Sequence, residues 1–298
     1  MHPRTKITLF LFGLILTFIS CGKVYDLNGH DWEPETPMSD SVFNREIYIR
    51  NYGDNLPAGH NPLDAMDPML FSLERFSSIN LFYKTTERWD LSFSGIFRSN
   101  IGVNNGRTAG IGYGSSAVAE IAVLDTPYSK VTHVPENLLF QAPGEIGLDA
   151  QGTISYQMGH VIYTFGGNFV RPDKVTGYDE NDPVASQEAN QYRHMLYCLS
   201  EDLIKTFPKA KNLQGKPLRP RTLIIKTARG NYVKLETQSI YKGITDPLQM
   251  RRGYEVPIYA FRYMVIKADE ARFGFVARKQ SLTVNMSNNS VTVGKEKL

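Results

Sequence analysis

The chain has 298 residues, 42% of them hydrophobic and 11% aromatic, enough to bury a sizeable core in one large β domain or two smaller ones. Its 33 Lys and Arg against 30 Asp and Glu give a formal charge of +3, and the basic residues are interspersed, with short runs such as residues 216–221 that read as solvated loop. A nucleic-acid binder needs a concentrated basic surface that releases counterions, so that class is excluded.

The N-terminus carries Arg4 and Lys6, then an almost wholly apolar run over residues 7–20, then Cys21 followed by Gly22 and Lys23. As a helix the apolar run would be about 21 Å long, short of the ~30 Å hydrocarbon core that a spanning helix crosses. A basic region followed by a short apolar one is the secretory pattern, and Phe18-Ile19-Ser20-Cys21 resembles the bacterial lipobox. The expectation is a signal peptide over residues 1–20 and lipidation of Cys21, with an ordinary signal peptide and a coincidental cysteine as the alternative. Removing the leader takes Arg4 and Lys6 and no acidic residue, which lowers the charge by two. Cys21 spent on the anchor leaves Cys198 as the one thiol, so no internal disulfide is expected.

Residues 22–40 are rich in Asp, Glu, Pro and Gly, and the stretch 21–45 reads as a flexible tether, with the folded domain at 46–298. Glu46-Ile47-Tyr48-Ile49-Arg50 has strand composition, residues 51–69 read as a long loop, and residues 71–76 and 79–83 as short strands. Arg88-Trp89-Asp90-Leu91-Ser92-Phe93-Ser94 alternates, with Trp89, Leu91 and Phe93 on one face, the mark of a half-buried strand. Arg98-Ser99-Asn100 follows, then Asn105-Gly106, a type I′ hairpin signal, and Gly110-Ile111-Gly112-Tyr113-Gly114. The third glycine of a dinucleotide fingerprint would fall on Ser115, so these glycines read instead as points of close backbone approach.

Residues 152–166 alternate again, with Ile154, Tyr156, Met158, His160 and Ile162 on one face. Over residues 185–207 the apolar positions Tyr192, Met195, Leu196, Leu199, Leu203, Ile204 and Phe207 follow helical spacing up to Pro208, which predicts one amphipathic helix near 186–207. The C-terminal third predicts three hairpins: 222–227 with 232–236 turning at 228–231, 258–267 with 272–276, and 282–284 with 291–293 turning at Asn288-Asn289. Many short strands with little helix predict an all-β fold, a single large antiparallel domain of hairpins.

The ordered set of lipoprotein leader, Trp89-Asp90-Leu91-Ser92-Phe93, Arg98-Ser99-Asn100 with the glycines, and Arg229-Gly230-Asn231-Tyr232-Val233-Lys234-Leu235 resembles the HmuY family of haem-binding lipoproteins from Bacteroidetes-type bacteria. The resemblance covers residues 71–135 and 221–267. It implies an all-β fold that clasps haem and passes it to an outer-membrane uptake system through a TonB-dependent receptor, with iron held by two histidines in some members and two methionines in others. The family's ligands come from the segment between the matching blocks. Here residues 144–220 are longer and do not align residue by residue, so no ligand is carried over; the loop over residues 246–253 is expanded as well.

Axial donors to haem iron are usually His nitrogen or Met sulfur. His30 lies in the tether and His60 in a Pro/Gly/Asn loop, which ranks both low. His160 and Met158 are the first candidates for one ligand, with Tyr156 and Ile162 as pocket walls, and His194, His133 or Met195 for the other. Each has a plainer reading: a hydrogen-bonded histidine in the sheet for His160, an exposed loop for His133, core packing for Met195. Haem is thus the expected ligand, and the alternative is a surface lipoprotein of the same fold that binds another porphyrin, a glycan or a protein. An enzyme is not expected, since GxSxG, HExxH, P-loop and CxxC patterns are missing. Cys198 lies four residues after His194 without a third orienting group, and Glu180 and Asp182 sit in a polar loop. An outer-membrane location through the lipid is expected. Gly22-Lys23-Val24-Tyr25-Asp26 lacks the acidic run typical of surface export, so the side it faces stays open.

Overall fold

The computed structural model describes residues 40–54, 64, 66–140, 145–149, 158–164, 170–171, 190–212, 214–270, 272–274 and 279–294. Two compact units divide at Pro37, and the described residues belong to the second, Met38–Leu298. The leader, Cys21, Tyr156, Glu180 and Asp182 lie outside the described residues. Among the described residues no helix is long and apolar enough to cross a membrane.

The fold is all-β. A seven-stranded sheet runs in the order β14 (Ser290–Val293), β13 (Leu282–Asn285), β1 (Glu46–Tyr52), β12 (Tyr259–Ile266), β11 (Tyr232–Ser239), β10 (Thr222–Lys226), β6 (Glu120–Leu124). A five-stranded sheet runs β3 (Ser77–Ile79), β2 (Met69–Ser72), β4 (Leu91–Ser94), β5 (Asn100–Val103), β7 (Glu145–Ile146). A two-stranded ribbon joins β8 (Val161–Tyr163) to β9 (Leu196–Cys198). Pairing is antiparallel except between β1 and β13, which run parallel.

The two large sheets face each other across an aromatic core. Phe71 on β2 meets Phe261 on β12 edge to face at 5.3 Å, and Phe93 on β4 lies 4.7 Å from Tyr259. Tyrosine hydroxyls then bolt one sheet to the other: Tyr52 donates to the Leu70 carbonyl at 2.8 Å, Tyr259 to Arg98 at 2.9 Å and Tyr263 to Leu73 at 2.8 Å. Each ring buries apolar area while its hydroxyl satisfies a carbonyl that water cannot reach.

Two of the motifs that carry the family resemblance, Trp89–Phe93 and Arg229–Leu235, meet inside this frame. Asp90 is fully buried, and its Oδ2 accepts from the Leu73 amide at 2.7 Å and from Ser72 Oγ at 3.3 Å. Next in the chain, buried Glu74 accepts from Thr227 Oγ1 and Asn231 Nδ2, both at 2.8 Å, and lies 3.4 Å from Arg229 Nη1. The turn of the β10–β11 hairpin is thereby tied to the turn between β2 and β3. Burial, and after it the charge of Glu74, pushes the Asp90 carboxyl up to about 7.

Several local expectations are corrected. Trp89, Asp90, Leu91 and Phe93 are all fully buried and Ser92 nearly so, because both faces of β4 are covered and Asp90 Oδ2 bonds to Leu73 and Ser72 instead of water. Asn105-Gly106 is not a hairpin turn: Asn105 bridges to Val118, and Gly106 donates to the Ala117 carbonyl. Close approach is what Gly106 provides, since a Cβ there would stand 1.7 Å from the Ser115 oxygen. Leu81–Tyr83 is a 3-10 turn capped by Asn80, whose side chain accepts from the Phe82 amide. Packing starts ahead of residue 46, with Val42 and Phe43 buried. Residues 272–273 leave β12 and join residues 132–133, His133 bridging to Arg272 and Phe273 donating to Thr132.

The long helix over 186–207 does not form. Residues 185–189 lie outside the described residues, and beyond them the chain turns at 191–194, runs extended through β9, and is helical over Glu201–Thr206, with the Ser200 side chain capping the Leu203 amide. Met195, Leu196, Tyr197, Cys198 and Leu199 are all buried. Five consecutive buried side chains suit a strand covered on both faces and no single helical stripe. The helix that remains stops ahead of Pro208, as the spacing predicts.

Candidate functional site

The ribbon β8–β9 positions most of the candidate ligands, and it sorts them into two groups. His160 is 1% exposed. Its Nε2 lies 2.7 Å from the Ser99 carbonyl and its Nδ1 2.9 Å from Thr237 Oγ1. A carbonyl only accepts, so Nε2 carries the proton and Nδ1 accepts from the threonine hydroxyl. Burial drives the imidazole down to about 4, with the bond to Ser99 opposing. Both nitrogens are spent on the fold, which is the plainer of its two readings. Met195 is buried too, its sulfur accepting from Tyr197 Oη at 3.4 Å, and Ile162 is wholly internal.

Met158 is 37% exposed and shares no wall with His160. Residues 154–157 lie outside the described residues; between Met158 and His160 the chain passes through Gly159, where a Cβ would stand 2.1 to 2.3 Å from the backbone of residues 147–149. His133 is exposed beside Thr132, Oγ1 to Nδ1 being 3.3 Å.

His194 is exposed as well, and it is oriented. Its backbone takes a left-handed φ of 52° at the turn into β9, and its Nδ1 lies 2.8 Å from the hydroxyl of Tyr163, the last residue of β8. The register that pairs Tyr163 with Leu196, together with the bond from the Thr164 amide to the Met195 carbonyl, holds these two rings on one end of the ribbon. Partial burial raises the Tyr163 phenol and the charge of Arg252 opposes the rise. Arg252 itself is fixed by its amide to Gln191 O at 2.7 Å and by Nη1 to Asn190 Oδ1 at 3.2 Å. Arg251 stacks over Tyr192 at 4.7 Å. The loop 246–253 thus brings Arg252 near Tyr163, and exposed apolar side chains, Leu248 and Tyr254, stand on the same loop and just after it.

Cys198 and His194 do not form a pair. Four residues of extended chain span about 13 Å; Cys198 is buried and its thiol pushed up to about 12 by desolvation, beside Thr237. Such a thiol is inert at neutral pH.

Tyr163 and Arg252 were not among the residues the sequence singled out. Tyr163 falls on the face of its strand opposite the even-numbered residues, and Arg251-Arg252 is a dibasic step whose only signal is the loop expansion.

A concavity lies elsewhere, beside Arg98. A cleft of about 520 Å³ is lined by Asp54, Asp67, Ser78, Asn80, Arg98 and Asn289 among others. Arg98, 6% exposed and at φ 48°, donates Nε to the Asp67 carbonyl at 3.0 Å and holds Nη1 3.6 Å from Asp54.

No cluster of three or more His, Cys, Asp or Glu that would hold a bare metal ion occurs among the described residues. A porphyrin brings four equatorial donors of its own and needs only one or two from the protein. Compared with family models and with curated proteins, the chain has no match.

Proposed function

We propose that this protein is a lipid-anchored haem-capturing protein that hands haem to an outer-membrane uptake system. The reading rests on the lipoprotein leader, on the ordered motifs that resemble the HmuY family, and on one observation above the others: an exposed, oriented His194 bonded to Tyr163 beside Arg252. An exposed imidazole nitrogen suits iron, Arg252 suits a propionate, and the same loop carries the exposed apolar side chain Leu248. His160 and Met195 have no place in that site, because the fold already uses their donor atoms. No chemistry is needed from the chain; it binds and releases.

The test is a titration of residues 22–298 with haemin followed by absorbance. Saturation at one to one with a shifted Soret band is the expected result, and an unsaturable, unshifted spectrum contradicts it. Protease shaving of intact cells decides the membrane face.

The cleft around Arg98 favours a second reading, in which the same fold takes a glycan without haem. Its planar amide, carboxylate and guanidinium groups match sugar hydroxyls, and a glycan-array screen with the same protein tests it.

A further inference from the structure

We infer that the cleft beside Arg98 is a subsite for a sugar acid, a pyranose bearing a carboxylate, with the Arg98 guanidinium as its anchor. The inference rests on the glycan reading and names the class of sugar within it.

Five separate stretches of chain build the cleft: the end of β1 at 52–54, the start of β2 at 67–70, the end of β3 and the turn after it at 78–81, Arg98 between β4 and β5, and residues 286 and 289 in the β13–β14 turn. Its volume of about 520 Å³ falls within the ~300–1,000 Å³ usual for small-molecule sites. Hydrogen bonds tie the walls to one another. Tyr52 Oη donates to the Leu70 carbonyl at 2.8 Å, joining β1 to β2, and the Met286 amide donates to the Arg50 carbonyl at 2.9 Å, joining the β13–β14 turn to β1.

Arg98 is the group that the fold leaves unsatisfied. Phe97 and Arg98 both take left-handed backbone, φ 53° and 48°, a costly conformation for residues with a Cβ, and the long side chain of Arg98 ends up buried, the residue 6% exposed. The Tyr259 hydroxyl donates to the Arg98 carbonyl at 2.9 Å, and Arg98 Nε donates to the Asp67 carbonyl at 3.0 Å, so both backbone and guanidinium are fixed. Nη1 is buried and, among the described residues, has no hydrogen-bond partner. Asp54 Oδ2 stands 3.6 Å from it, beyond hydrogen-bond reach, on a side chain that is 80% exposed. A buried guanidinium nitrogen without a partner is costly, and an exposed aspartate at that range offsets little of the cost. A ligand carboxylate, planar and matched to the guanidinium fork, offsets it in full geometry.

The charge of the lining sets the charge of the occupant. Arg98 is the one cation among the described lining residues, and Asp54 and Asp67 are both present, so a phosphate dianion would enter a cleft that is already net negative. A single carboxylate is matched instead: it takes the guanidinium and releases Asp54 to solvent. Asp67, Ser78, Asn80 and Asn289 then offer acceptors and donors for ring hydroxyls, and Ile79, Leu81 and Met286 offer apolar contact for the C–H face of the pyranose.

The experiment titrates the protein, by calorimetry, with short oligomers of galacturonic, glucuronic and mannuronic acid, each beside its methyl ester, which keeps the hydroxyls and removes the charge, and with a panel of neutral oligosaccharides. At least one free acid is expected to bind saturably and its ester about 10- to 100-fold more weakly, the factor that a hydrogen bond to a charged group carries. Arg98→Gln is expected to bind acid and ester alike, at the ester's affinity. Because a buried arginine also supports the fold, Asp54→Asn is the second variant: its side chain is exposed, and removing its charge removes the competitor for Arg98, so the acid should bind several-fold tighter. Equal binding of acid and ester, saturable binding confined to neutral glycans, or unchanged or weakened affinity for the acid in Asp54→Asn overturns the sugar-acid assignment while leaving the glycan reading standing. No saturable binding of any oligosaccharide overturns both.

Discussion

Two parts of the molecule gather similar residues and use them in opposite ways. At the junction of Asp90, Glu74, Arg229 and Asn231, acids, a guanidinium and an amide meet in the interior and bond to other groups of the protein. At the end of the β8–β9 ribbon, Tyr163, His194 and Arg252 meet at the surface, bonded to one another or to local backbone but open to solvent. The Trp89–Phe93 and Arg229–Leu235 motifs, which resemble a known family, belong to the first region, and the exposed His194 to the second. A sequence motif of this kind therefore reports the frame.

Substitutions should separate the two regions by what they cost. Trp89→Ala empties a fully buried site and is expected to cost about 3–5 kcal/mol of stability, read as a lowered denaturant midpoint, with haemin binding by the folded fraction unchanged. His160→Ala strands the Ser99 carbonyl and the Thr237 hydroxyl and is expected to cost about 2–4 kcal/mol, again without altering the haemin spectrum. If that spectrum changes, the division between frame and site fails.

The same histidine gives the fold a pH dependence. Its imidazole stays neutral in the folded protein down to about 4, whereas an unfolded chain protonates it near 6.5. Its contribution is therefore complete above pH 6.5 and is lost as pH falls towards 4, about 3 kcal/mol in all. Urea titrations across that range should show the slope in the native chain and a flatter one in His160→Ala. Asp90 acts in the opposite sense: its carboxyl is raised to about 7, so its stabilisation is present at low pH and is lost as pH rises from about 4 to 7. Asp90→Asn should remove that loss.

The smallest effect on stability belongs to the ribbon. Arg252→Ala is expected to leave stability within about 0.5 kcal/mol, as for an exposed side chain outside the core, and to weaken haemin binding several-fold. Equal haemin affinity in that variant would show that the arginine has no part in the site.

Much of the frame was legible because its signals are local. The β10–β11 hairpin is announced by Ala228-Arg229-Gly230-Asn231 between two β-branched runs, and β13–β14 by Asn288-Asn289; both form as expected. The parallel pairing of β1 with β13 joins residues more than 230 apart in sequence, and no local pattern encodes it. Helical spacing over 185–207 misled because a strand buried on both faces also fills the helical stripe. The site was half legible: His194 stood among the candidates by residue type alone, while Tyr163 became visible only once the register of β8 against β9 placed its hydroxyl on the His194 ring.

The most direct test of the account is one haemin titration run on the unmodified chain, on Asp90→Asn and on the double variant Tyr163→Phe/His194→Ala, each with its melting curve. The account predicts that the Asp90 variant changes in stability and binds haemin as the unmodified chain does, while the double variant melts normally and fails to bind. Normal binding by the stable double variant, or loss of binding in a folded Asp90 variant, would contradict it.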